Sequence, residues 1–137
     1  MSGSILEVDI KEYLASVPAI AAIVPPAQFY GAFIRSDASF PALSITTVGR
    51  TAERTLGSNL TTMKRVQIDC FTMTYLTCKT LEQAVETALD GFTGMLQSGS
   101  TIRIVSCYSS TVIDNWDNDS SVFRTMLTFE IEHTAVA

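Results

Sequence analysis

Residues 63–92 read MKRVQIDCFTMTYLTCKTLEQAVETALDGF, and the apolar pattern changes period partway along. From Met63 to Met73, Val66, Ile68, Cys70 and Thr72 alternate with Arg65, Gln67, Asp69 and Phe71. That two-residue repeat belongs to a strand with one buried face. Further on, Leu81, Ala84, Val85, Ala88, Leu89 and Phe92 recur at helical i, i+3, i+4 spacing, leaving Glu82, Gln83, Glu86, Thr87 and Asp90 on a wetted face. Thr77 or Thr80 opens this helix, Thr80 and Gln83 having capping-box spacing. Gly91 and Gly94 supply the stop, because glycine accepts the left-handed backbone of a helix end.

Upstream, Ser4 and Glu7 have capping-box spacing as well, and Leu6, Ile10, Tyr13, Leu14 and Val17 form an apolar stripe. The spacing predicts an N-terminal helix that Pro18 ends or converts into a second short turn. Pro25 and Pro26 stop the apolar piece 19–24, a short extended piece covers 28–34, and a polar loop covers 35–39. In 42–50, Leu43, Ile45 and Thr47 alternate with Ser44, Thr46 and Val48, which predicts a strand. Residues 51–62 break both periodicities, with a turn at Gly57, Ser58 and Asn59, so 42–50 and 63–73 read as a long hairpin. Downstream, 101–113 and 121–133 are strands separated by an acidic loop over 114–121. In the last strand Phe123, Thr125, Leu127, Phe129 and Ile131 share a face. The order is helix, short strand, hairpin, helix, hairpin. It predicts an α+β fold, an antiparallel or mixed sheet of about four to five strands with two main helices on one face.

At 137 residues a single domain spanning 1–137 is expected. Charged residues make up 17% and mean hydropathy is +0.26, against about 25% charge in an ordinary soluble domain. Two readings fit that deficit: extensive subunit contacts, whose centres are poor in charge, or a neutral, Thr-rich surface. The net charge of −5 is uneven: residues 1–75 carry six basic and six acidic side chains, residues 76–137 three basic and eight acidic. Arg50, Arg54, Lys64 and Arg65, interrupted by Glu53, are the nearest thing to a basic cluster. Neutralising phosphates takes more than that, so direct nucleic-acid binding is disfavoured.

No set of residues suits catalysis or metal binding. His133 is the only histidine and reads as an exposed strand-end residue, and Cys70, Cys78 and Cys107 form no C-x-x-C pair. The three read as buried free thiols in a reducing compartment. The acidic loop with Asp114, Asp117 and Asp119 lacks the glycine and terminal glutamate of a calcium-binding loop and reads as a solvated turn. Gly91 and Gly94 follow a helix where a phosphate loop would precede one. No signal peptide and no apolar run near transmembrane length is expected. We expect a protein that is not an enzyme and needs no cofactor or metal.

Read in order, several pieces fall into a familiar arrangement: the helix ending near Val17-Pro18, FPALSI at 40–45, RVQIDCF at 65–71, the helix end ALDGF at 88–92, and FRTMLTFEI at 123–131. Over roughly residues 5–133 the chain resembles the tail-completion (tail-terminator) family of tailed bacteriophages and prophages. The resemblance implies a structural subunit of a ring, six-fold in most members. Such a ring caps the tail tube, halts its polymerisation and presents a head-joining surface. It also implies the partners: copies of the same chain, the tail-tube protein and the head–tail connector. DNA would pass through without sequence-specific binding, and no membrane is involved. The implied location is the head-proximal end of the virion tail, after assembly in the bacterial host cytoplasm. The alternatives are a head–tail connector or head-completion component and, in a different class, a small-molecule-binding α+β domain.

A ring subunit needs heterologous contacts, different patches meeting on neighbours. Two protruding segments are candidates, the hairpin tip 51–62 and the loop 114–121. Leu56 and Leu60 either anchor an interface or fold back onto the sheet. Trp116, the only tryptophan, either anchors an interface or packs beneath its own loop. Arg50, Glu53 and Arg54 are candidates for ion pairs between subunits or for a solvated hairpin, and Asp114 and Asp117 complete the candidate surface.

Overall fold

A computed structural model of the chain describes residues 5–31, 40–54, 60–117 and 122–135. The elements run α1 (Leu6–Ser16), α2 (Pro18–Ala21), a 3-10 turn (Pro26–Gln28), β1 (Phe29–Gly31), β2 (Ala42–Arg54), β3 (Leu60–Thr72), α3 (Tyr75–Leu89), β4 (Ile102–Asp117) and β5 (Val122–Ala135). The five strands form one sheet in the order β1-β2-β3-β5-β4. β1 runs parallel to β2 and every other pairing is antiparallel, so the sheet is mixed. The α+β architecture expected from the order of periodicities is the one observed.

Register explains the core. Val66 pairs with Phe129 and Ile68 with Leu127 across β3 and β5, while Leu43 pairs with Cys70 and Ile45 with Ile68 across β2 and β3. Directly opposite residues share a face. All of these are buried in one cluster with Leu6, Ile10 and Leu14 of α1 and Cys78, Leu81, Val85 and Leu89 of α3. Both main helices therefore cover the same face. The other face, carrying Thr46, Arg65, Gln67, Met126 and Thr128, has none of the described helices on it, although Asp69 is buried there against Arg124 at 2.9 Å.

Several expectations need correction. The cap of α3 is Thr74, whose side chain accepts from Thr77 N at 3.2 Å. Thr80, expected with Thr77 as a possible start, lies well past the first helical residue Tyr75 and donates to the Leu76 carbonyl at 2.9 Å, the back-bonding habit of a mid-helix threonine. Glu82 is buried, not wetted, because Lys79 takes its carboxylate at 2.7 Å. At the N-terminus the cap position is Ile5, with no side-chain cap; Ser4 lies outside the described residues, and Glu7 bonds elsewhere. Residues 51–54 and 60–62 continue the β2–β3 ladder as far as Arg54 opposite Leu60. Residues 114–117 likewise continue β4, with Asp114 opposite Thr125 and Trp116 opposite Phe123. Residues 55–59, with the turn expected at Gly57, Ser58 and Asn59, residues 118–121, the polar loop expected over 35–39 and the expected extended piece past Gly31 lie outside the described residues.

Gly91 has φ +81° at the end of α3, as expected for a glycine stop, and its N–H reaches the Cys107 carbonyl at 2.7 Å. Gly94 exchanges both backbone hydrogen bonds with Ile104, at 2.9 and 2.7 Å. The segment after α3 thus covers the outer edge of β4 at its beginning. β2 carries a bulge between Thr47 and Gly49, and β4 carries two, between Ile104 and Ser106 and between Ser109 and Thr111.

Phe129 is fully buried at the centre of the sheet. Phe129→Ala is expected to lower stability by about 3–5 kcal/mol, read as a shifted urea midpoint. Thr74→Ala should lose about 1 kcal/mol and Thr80→Ala much less; a larger loss at Thr80 would contradict the observed cap.

Candidate assembly surfaces

The residues proposed for assembly fall at opposite ends of the sheet. Arg50 is exposed opposite Lys64 on β3. Glu53 and Arg54, opposite Thr61 and Leu60, are placed by their backbones at the far end of the β2–β3 hairpin. Leu56 lies outside the described residues. That end is level with the end of β5 and the start of β4, since Thr61 pairs with Thr134 and Ile102 with Ala135. Asp114, Trp116 and Asp117 sit instead at the start of β5, with Asp117 opposite Val122. The structure does not bring the two groups together within one chain.

At the second end an aromatic cluster forms. Trp116 lies 4.5 Å from Phe123, and Phe123 meets the edge of Tyr75 at 5.7 Å. These rings and Cys78, Asp114 and Arg124 line an open cleft of about 280 Å³. Trp116 is 44% exposed, so it neither packs fully beneath its own hairpin nor stands free. Beside it the start of α3 presents Leu76 at 77% and Met73 at 59% exposure. These two escaped the sequence reading, yet Leu76 could have been found: it stands off the apolar stripe of its helix, where a leucine has no core to fill.

Asp114 is anchored from two sides. Lys79 of α3 reaches both its oxygens at 3.1 Å, and Thr125 donates to it at 3.0 Å. Glu82 foremost, then Asp114, holds the Lys79 ammonium well above its usual range, against the opposing effect of burial. The aspartate still keeps 42% of its side chain exposed.

Near the other end Glu7 of α1 bonds Thr47 of β2 and Lys64 of β3, the latter at 3.2 Å. Burial raises the Glu7 pKa, but the Thr47 hydroxyl, the helix backbone and Lys64 outweigh it and leave the carboxyl below its usual range. His133 faces this group from β5, opposite Thr62. The expectation of an exposed strand-end residue is corrected: β5 runs on to Ala135, His133 is half-buried, and its Nε2 is buried without a hydrogen-bond partner.

Cys70, Cys78 and Cys107 are free and buried. Burial pushes the Cys70 thiol well up and the Cys107 thiol to about 12, so neither supplies a thiolate at neutral pH. Among the described residues no group of three or more His, Cys, Asp or Glu side chains is placed to hold a metal ion. No described helix is long and apolar enough to cross a membrane.

The profile of the family described as tail completion protein gp17 matches residues 8–133. The chain belongs to that family. It is thus a structural component of a phage tail. Among solved structures it is similar to a chain of the virion of a native gene transfer agent (GTA) particle. The two share 16% sequence identity and a TM-score of 0.69, covering 94% of each chain, which establishes a shared fold. A search of curated proteins gave no match. The α+β layout of this tail completion protein is therefore found in another virion component at low sequence identity.

Burial first, then the charges of Lys64 and Arg50, push the His133 pKa below its usual value, with Glu7 opposing. A base whose folded pKa is depressed contributes stability that is intact above its unfolded pKa and lost as pH falls through the folded one. The thermal midpoint should therefore fall between about pH 7.5 and about pH 5.5, and His133→Gln should flatten that slope. Glu7, protonating below its already low range, stays charged throughout this window. An equal slope in the variant would remove His133 as its cause.

Proposed function

We propose that this chain is the tail-terminator subunit: a closed ring of copies, six-fold, that caps the tail tube, stops its polymerisation and provides the head-joining surface. The chain acts as one domain, has no catalytic role, and works at the head-proximal end of the tail after assembly in the host cytoplasm. Its partners are its own copies, the tail-tube protein and the head–tail connector, with DNA passing through the ring.

The observation that carries this reading is the apolar patch of Met73, Tyr75, Leu76 and Trp116, all at least 44% exposed at one end of the sheet. A chain with only 17% charged residues and such a patch is built for burial against protein. The candidates Arg50, Glu53, Arg54 and Leu60 at the other end, with Leu56 a candidate from the sequence alone, offer each subunit a second, different surface, as a heterologous ring needs. The cleft beside Trp116 favours an inserted side chain over a metabolite. It is open and mostly apolar, and falls just under the roughly 300–1,000 Å³ of ordinary ligand sites.

A particle-producing strain lacking this gene should make overlong tails without heads, and the intact gene should restore joined particles. Tails of normal length carrying heads in the deletion strain would refute the proposal. Trp116→Ala is expected to weaken assembly by about 30-fold, the loss of roughly 2 kcal/mol at an interface anchor, and Leu56→Asp to weaken it likewise. Far-ultraviolet circular dichroism should stay unchanged in both. Unaltered assembly in both variants would remove these residues from the interface.

A further inference from the structure

Among the described residues, two strands of the sheet have outer edges that no other strand covers along part of their length. β2 pairs with β1 only from Leu43 to Ile45, and among the described residues no backbone hydrogen bond covers its outer edge over 47–54. On β4 the segment after α3 covers the beginning through Gly94 on Ile104, Gly91 on Cys107, and the Asp90 carboxylate on Ser109 N. Over 110–117 the outer edge meets no other described strand or loop; only the Trp116 N–H is held, by the side chain of neighbouring Asn115 at 2.9 Å. Val112 and Ile113 are exposed on this same stretch. A long edge bearing exposed apolar residues invites another strand unless something covers it.

The free edges are diagonal to one another. Asp114 is level with Leu43, through Thr125 and Cys70. Arg50 is level with Cys107, through Lys64 and Ile131. Where β2 is bare β4 is covered, and where β4 is bare β2 carries β1. A chain cannot meet a neighbour at the same level, so a neighbour must be staggered.

We infer that neighbouring copies of this chain join edge to edge, 110–117 of β4 pairing antiparallel with 47–54 of β2 in the next copy; this rests on the ring reading above. Direction fits, because three successive antiparallel pairings make β4 run opposite to β2. A rotation that carries one copy around the ring keeps that sense and presents β2 of the next copy antiparallel to β4. Charge fits as well: 110–117 holds Asp114 and Asp117 and no basic residue, while 47–54 holds Arg50 and Arg54 against Glu53 alone. Asp114 and Arg50 both stand on the helix-covered face, where opposite residues become neighbours.

The stagger that sets Asp114 opposite Arg50 equals the distance from Lys64 to Cys70 along β3, about 20 Å at ~3.3 Å per residue. Crossing β2, β3, β5 and β4 takes about 19 Å at ~4.8 Å per strand. A ratio near one means strands tilted by roughly 45° to the ring axis, at the upper end of the ~35–45° at which sheets close on themselves. The offset that the covered edges impose is thus one that lets the sheet close.

Arg50→Cys and Val112→Cys chains, prepared separately and mixed, test this with a bis-maleimide reaching about 8 Å, the separation of diagonal cross-strand neighbours. The native thiols are buried, and the wild-type chain measures their background. The expected result is a covalent dimer from the mixture, none from either variant alone, and a ladder of multimers from the double variant. Self-linkage of Val112→Cys alone would overturn the inference in favour of β4 meeting β4. Light scattering of the same samples separates the two levels. A ring-sized particle without cross-links overturns the edge pairing and leaves the ring standing; a monomer at every concentration, without cross-links, overturns both.

Discussion

The fold depends on the pairing of β3 with β5, two long strands joined over twelve cross-strand partners from Thr61 opposite Thr134 to Thr72 opposite Phe123. They are distant in sequence, with α3 and β4 between them. What holds them is the apolar row Val66–Phe129 and Ile68–Leu127, all four fully buried. Each hairpin adds one more strand to this central pair, β2 beside β3 and β4 beside β5. The helices then have one continuous apolar face to cover, and covering it excludes water from the ladder beneath. Everything outside that row, including both candidate assembly ends, is suspended from it.

Polar ties then fix the helices on that face. Glu7 binds α1 to β2 and β3 through Thr47 and Lys64. Lys79 binds α3 to β4 through Asp114, and Ser100 donates to buried Asp9 at 2.5 Å. Buried or half-buried carboxylates stay charged only where such donors are present. These ties join each helix to the sheet at a named position, beside the apolar packing that holds it there.

The central architecture was legible because it is written in buried side chains. Alternation from Met63 to Met73 and in 123–131, and the stripe from Leu81 to Phe92, are the imprint of one covered face. The strand ends were not legible. Residues 51–54, 60–62 and 114–117 lie in ladders formed by main-chain groups, which every sequence possesses, and their sequence shows no apolar–polar alternation. The same limit misplaced the start of α3, whose first turn carries exposed Tyr75 and Leu76. Glu82 was assigned to solvent because its neighbour in space, Lys79, satisfies it within the helix, and hydrophobic periodicity is blind to paired charges. The stretch 114–121, read as one acidic loop, is strand over its first four residues. Family membership was legible from the order of the pieces. Of the exposed apolar patch around Trp116, the sequence marked Trp116 and missed Met73 and Leu76.

The bulges in β2 and β4 are distributed in a telling way. All three lie in the strands flanking the central pair, at Thr47/Gly49, Ile104/Ser106 and Ser109/Thr111, and none lies between β3 and β5. An extra residue lengthens the path of a flanking strand and bends it relative to its straight neighbour. The two flanking strands are therefore bent locally within a single chain, while the central pair keeps a regular register. A component bent in advance loses little conformational freedom when it meets its neighbours, which favours association over an alternative that must first deform.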